Sequence, residues 1–224
     1  MDTGSTRSAE RTSSRICSFE DYAWRQGSVQ MACSFRAGIE NNLDWCHPAF
    51  AHPWTHPQWY ATKLRGLSDV SHEVRGSPDG LVMFAPDSTA PDDPLPSRPA
   101  MLVTFTPPNR ITVESWRPAH SIVMHFVPTG LASCRLDSMT TTALPPARRG
   151  RARSTWREPV AFRLDQLFLE GAQCNYEQDS NFERSVKADT STLFARRVLD
   201  LAEAGEWPQR HGALPARAVI DVRA

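Results

Sequence analysis

The sequence carries no excess of either charge: Lys plus Arg number 25, and so do Asp plus Glu. No global field therefore draws the chain to nucleic acid or to an anionic bilayer, and any partner has to be recognised locally. Long apolar runs are missing as well. None approaches the roughly 18 residues needed to cross a bilayer, and the first 16 residues, MDTGSTRSAERTSSRI, lack the apolar stretch of a signal peptide. A cytoplasmic protein with no membrane partner is expected. Cysteine is sparse: Cys17, Cys33, Cys46, Cys134 and Cys174 are scattered without CxxC or CxH spacing. That pattern excludes a disulfide framework, a zinc ribbon and an iron–sulfur motif, and leaves reduced thiols.

What is present suffices for one domain with a sizeable core in 224 residues. The Ser/Thr/Arg-rich start, residues 1–16, cannot bury enough apolar surface to offset its ordering entropy and is expected to be disordered. Residues 85–99, with five prolines and three aspartates, read as a loop. Strand-like runs cover residues 28–36, 69–76, 79–86, 100–106, 110–116, 120–128 and 131–142. Turn signals such as Ser77-Pro78-Asp79-Gly80, Pro107-Pro108-Asn109 and Thr129-Gly130 separate most of them by a few residues, which favours antiparallel neighbours. Two amphipathic helices follow. The first sets Leu164, Leu167, Phe168 and Ala172 on one stripe, the second Leu193, Phe194, Val198 and Leu201. The chain is thus expected to be α+β, an antiparallel sheet with C-terminal helices packed on one face. His120 and His125 stand at odd spacing on one predicted strand, so they face opposite sides of the sheet and only one can reach an interior cavity.

The stretch richest in chemistry is Asn41 to His52, NNLDWCHPAFAH. Two neutral imidazoles and a carboxylate on one face of an octahedral Fe(II) leave positions open for dioxygen, so His47 and His52 form a candidate metal pair. Residues five apart on an ideal helix point about 140° from each other. The pair converges only if the helix ends or breaks between them, and Pro48 and Pro53 supply causes. From the residues alone a second reading stands beside this one: Asp44 and His47 as an i, i+3 pair at a helix end, with His52 on the surface.

The motif N-x-x-D-x-x-H-x-x-x-x-H, filled by Asn41, Asp44, His47 and His52, resembles that of the catalytic domain of Rieske non-haem iron oxygenases. The preceding AWRQGSVQMACSFRAGIENNLD resembles the same region of the vanillate O-demethylase-like members. So does RLDQLFLEGAQ, which puts the family's downstream carboxylate ligand on Asp165, with Glu170 as second candidate. From its position alone, Asp165 also suits a helix N-terminal acid stabilised by the dipole. The resemblance implies a helix-grip (START/Bet v1-like) fold and an Fe(II) held by His47, His52 and Asp165. It implies further that Asp44 hydrogen-bonds a ligand histidine on the electron route, with Asn41 a nearby polar group. On this reading residues 17–210 are the mononuclear iron domain and 211–224 a C-terminal tail. Trp45, Phe50, Trp54, Met83, Phe105, Met124 and Phe126 are candidates to line a substrate pocket, each also suited to plain core packing.

The family's [2Fe–2S] domain, with its CxH and CxxH motifs, has no counterpart here. The cluster is expected to be absent from this chain and electrons to come from a separate Rieske, ferredoxin or reductase partner, in a homo- or hetero-trimer of the family's kind. The arginines Arg148, Arg149, Arg151, Arg153 and Arg157 suit the steering of an acidic donor, or equally a solvated loop. The implied reaction is O2-dependent hydroxylation or oxidative demethylation of a small aromatic or apolar substrate. The alternative is a non-catalytic accessory or ligand-binding subunit of an oxygenase assembly.

Overall fold

The computed structural model describes residues 22–44, 47, 51, 70–85, 101–116, 119–143, 154–156, 160–178, 185–186, 189–214 and 217–222. Among the described residues there are nine strands, β1 (Tyr22–Met31), β2 (Val70–Ser77), β3 (Gly80–Ala85), β4 (Met101–Thr106), β5 (Arg110–Trp116), β6 (Ala119–Gly130), β7 (Ser133–Ala143), β8 (Ser154–Trp156) and β9 (Ala218–Val222). Among the described residues the long helices are α1 (Phe35–Leu43), α2 (Val160–Gln178) and α3 (Thr190–Glu203); His47 and Ala51 are also helical, and His211–Ala213 form a 3-10 turn. The strands form one sheet in the order β8-β1-β7-β6-β5-β4-β3-β2-β9. All pairs are antiparallel except β8 on β1. The expected α+β architecture of sheet and helices is therefore the one observed.

From β2 to β7 the chain is a meander, joined by short turns except between β3 and β4, where residues 86–100 intervene. At the β2–β3 turn, Gly80 has φ +134°, and a β-carbon there would stand 1.9 Å from the Phe105 carbonyl oxygen. Only glycine fits. The tail expected over residues 211–224 supplies β9, which closes one edge by pairing Val70–Val74 with Ala218–Val222. Arg217 and Arg75 reach the buried Glu73 carboxylate at 2.8 and 2.5 Å and hold this edge.

Alternation along the strands divides the sheet into two faces. The inner face carries Val29, Met31, Leu81, Met83, Val103, Phe105, Ile111, Met124, Phe126, Cys134 and Leu136, each at most 4% exposed. The buried thiols of Cys33 and Cys134 share a hydrogen bond at the end of this layer. The run expected as a strand over 28–36 behaves differently from expectation. Its pairing begins earlier, at Tyr22, and stops at Met31, because Ser34 caps α1, its side chain accepting from the Ala37 N–H at 3.2 Å. Phe35 and Arg36 are already helical.

The three helices cover the inner face. α1 lies over β6 and β7, α3 over α1 and β3, and α2 along β1. Gly38 seats α1 on the Phe126 ring, where a β-carbon would come within 2.6 Å of Cδ1 and Cε1. α3 runs antiparallel to α1 and is tied to it at both ends. Arg36 meets Asp200 at 2.9 Å, Arg196 Nε donates to Glu40 at 2.8 Å, and Ser191 Oγ donates to the Leu43 carbonyl at 2.8 Å.

The face of α2 differs from the one its sequence suggests. Leu167 and Phe168 are 69% and 57% exposed, whereas Phe162, Asp165 and Leu169 are buried. Polar side chains fix this rotation. Gln166 Nε2 donates to the Gln30 carbonyl at 3.1 Å, Glu170 accepts from the Ala32 N–H at 2.9 Å, and Gln173 accepts from the Ser34 N–H at 3.0 Å. Spaced one helical turn apart, they satisfy backbone groups where β1 leaves the sheet.

Candidate metal centre

α1 ends where it does because Asp44 leaves helical geometry, with ψ 107°, while its N–H still donates to the Glu40 carbonyl at 3.0 Å. The chain then turns so that His47 Nδ1 lies 2.7 Å from the Asp44 carbonyl oxygen. A carbonyl only accepts, so in the neutral ring Nδ1 carries the proton and Nε2 presents a lone pair. That lone pair faces Asp165: Nε2 and Oδ1 are 3.5 Å apart, with side-chain exposures of 16% and 6%. Two acceptors attract each other only through a proton or a cation between them. The arrangement is a carboxylate and an imidazole from opposite ends of the chain, brought together by α1 and α2 in a water-poor setting.

The polar ladder of α2 is what aims Asp165 inward. Gln166, Glu170 and Gln173 turn toward β1, and one residue before Gln166 the helix face points to the inner side, beside His47. Glu170, the second carboxylate candidate, belongs to the ladder. Its carboxylate accepts from Ala32 N–H and from Gln166 Nε2, and these hydrogen bonds hold its pKa below the ordinary glutamate value. Periodicity of apolar residues carries no trace of this ladder, but the Gln/Glu/Gln spacing at positions 166, 170 and 173 does.

The Asp44 contact with His47 runs through the backbone carbonyl. Asn41 occupies the last turn of α1, and its Nδ2 is buried with no hydrogen-bond partner among the described residues. Met83, Phe105, Met124 and Phe126 sit in the apolar core beside Ile39 and Leu43. His52, Trp45, Phe50, Trp54 and Arg148, Arg149, Arg151, Arg153 and Arg157 lie outside the described residues. Among the described residues no three His, Cys, Asp or Glu side chains converge as a metal ligand set.

The inner face changes character along the strands. In register, Ala23, Thr142, His120, Ser115, Met101 and Ala85 form its last row. Thr140, Ile122 and Val113 belong to the row before it. In these rows Ala23, Thr142, His120, Met101, Thr140, Ile122 and Val113 are only partly buried. His120 Nδ1 lies 3.1 Å from Thr142 Oγ1, and burial lowers its pKa below the ordinary histidine value. His125 is on the opposite face and exposed, opposite Asp137 and Arg110.

No family model matches the chain, and no curated protein sequence matches it. Solved structures do. NdmA of Pseudomonas putida CBB5 aligns with a TM-score of 0.58 at 17% identity, over 91% of this chain and 58% of NdmA. Dicamba monooxygenase bound to dicamba aligns with a TM-score of 0.57 at 13% identity, over 83% of this chain and 60% of the other. NdmB of Pseudomonas putida CBB5 aligns at 0.53 and 16%, over 89% and 56%. These are Rieske oxygenase catalytic subunits, and their catalytic-domain fold is the fold of this chain, which spans well under two thirds of their length. A structure of dicamba monooxygenase holds non-haem iron together with dicamba.

Proposed function

We propose that the chain is the catalytic component of a non-haem iron oxygenase, with Fe(II) held by His47, His52 and Asp165. The observation that carries this reading is the His47–Asp165 approach at 3.5 Å. One neutral imidazole with its lone pair outward and one buried carboxylate are the nitrogen and oxygen donors that Fe(II) accepts. When bound, the iron would supply the site for activating dioxygen.

The chain's own residues do the rest. The Asp44 carbonyl fixes the His47 tautomer, so that Nε2 and not Nδ1 is the donor atom. The α2 ladder keeps Asp165 aimed inward and the apolar core under α1 keeps water away. Asn41 Nδ2 offers a buried donor to a water or a substrate group at the end of α1. The substrate would be a small aromatic or apolar molecule, hydroxylated or oxidatively demethylated with dioxygen and two external electrons. A separate Rieske or ferredoxin-type partner would deliver those electrons, in a homo- or hetero-trimer.

The test is iron content after anaerobic Fe(II) reconstitution of the native chain, His47→Ala and Asp165→Ala. About one iron per native chain, lost in both variants, is the expected result, because each variant removes a ligand from a three-ligand site. Absence of specifically bound iron in the native chain, or its retention in both variants, overturns the reading. A ligand-binding or accessory subunit with an oxygenase fold would then be left.

A further inference from the structure

We infer that His120 orients the substrate: its Nε2 hydrogen-bonds a carbonyl oxygen of a monocyclic aromatic lying between the last inner row of the sheet and the His47–Asp165 pair. This deepens the oxygenase reading and rests on it for the direction in which the substrate is presented.

The register sets His120 between Ser115 and Thr142, on the same face as Met124 and Phe126 and so beneath the helices. In its row Ala23, Met101, Thr142 and His120 itself are only partly buried, while Val29, Phe126 and Leu136 under α1 are sealed. The ring is already positioned, since Nδ1 is engaged by Thr142 Oγ1 at 3.1 Å. Among the described residues Nε2 has no hydrogen-bond partner. Burial favours the neutral ring. A threonine hydroxyl donating to Nδ1 leaves the proton on Nε2, where it suits an uncharged carbonyl acceptor.

His125 provides a built-in control: the same side chain on the same strand, exposed on the outer face.

The experiment is a binding titration of the full chain with benzamide, which carries the carbonyl, and with toluene, which lacks it. The native chain is expected to prefer benzamide. His120→Leu is expected to weaken benzamide about three- to tenfold, the range one neutral hydrogen bond commands, and to leave toluene unchanged. His120→Gln, which retains an N–H donor, restores part of the difference, and His125→Leu alters neither compound. The inference is overturned if His120→Leu and His120→Gln both retain the native preference, if both weaken the two compounds equally, or if the native chain binds neither. Iron loading is read separately. Loss of the iron reading with the benzamide preference intact would sink the oxygenase and spare His120, and the converse would sink His120 alone.

Discussion

The two ends of the inner sheet face are built from the same strands and serve different ends. Under α1, Phe126, Leu136, Val29, Cys134 and Met31 are at most 3% exposed, and Gly38 lets the helix backbone rest directly on the Phe126 ring. Two to three rows along the same strands, Thr140, Thr142 and His120 replace apolar side chains and none is fully buried. A uniformly apolar face would be more stable, since each fully buried side chain contributes roughly 1.5–3 kcal/mol. The polar, incompletely covered end gives up part of that stability. His47 and Asp165 meet just beyond the C-terminal end of α1.

Substitutions at the sealed end are expected to act on stability. Phe126→Ala has the largest expected effect, about 3–5 kcal/mol, from the lost transfer of the ring and the cavity left beneath α1. Urea unfolding should show a lower midpoint with little change in slope. A loss under 1 kcal/mol would mean that the inner face is not sealed there. Gly38→Ala adds one carbon where no space exists, against a buried ring that cannot swing away, and is expected to cost about 1–3 kcal/mol. The same substitution normally raises helix propensity. A stabilised Gly38→Ala variant would show that α1 can lift off Phe126, and would blur the boundary between the two ends.

Much of this division is legible in the sequence. The meander follows from turn chemistry at Ser77-Pro78-Asp79-Gly80 and Pro107-Pro108-Asn109, because a short turn leaves a strand no neighbour but the next one. Opposite faces for His120 and His125 follow from the two-residue period. The close approach of His47 to Asp165 is not readable from spacing, since 118 positions separate them; only the resemblance pairs them. The buried face of α2 departs from its apolar stripe for a physical reason. Leu164, Leu167 and Phe168 are the hydrophobic choice, yet Gln166, Glu170 and Gln173 hydrogen-bond the backbone of Gln30, Ala32 and Ser34 at the end of β1, and that contact leaves Leu167 and Phe168 turned outward. The early end of β1 was legible in Ser34, a good N-cap, but the apolar run through Phe35 conceals it.

The smallest expected effect probes that ladder. The Ala32 N–H, first among the causes, and Gln166 hold the Glu170 carboxyl below the ordinary glutamate pKa. A carboxylate whose pKa is depressed by folding binds fewer protons in the native state than in the unfolded one. Its contribution to stability is therefore present above the unfolded-state pKa, and is lost as the pH falls through the lower, folded-state value. Glu170→Gln keeps the shape and an acceptor but removes the titration. The variant should be slightly less stable than the native chain at pH 7, and the two should converge in acid. Urea midpoints measured from pH 7 down to pH 3 check this, and a gap that stays constant across the range would mean that Glu170 holds β1 by shape alone. Iron content in the same variant separates the ladder from the site. Glu170 turns away from His47, so Glu170→Gln should load iron like the native chain.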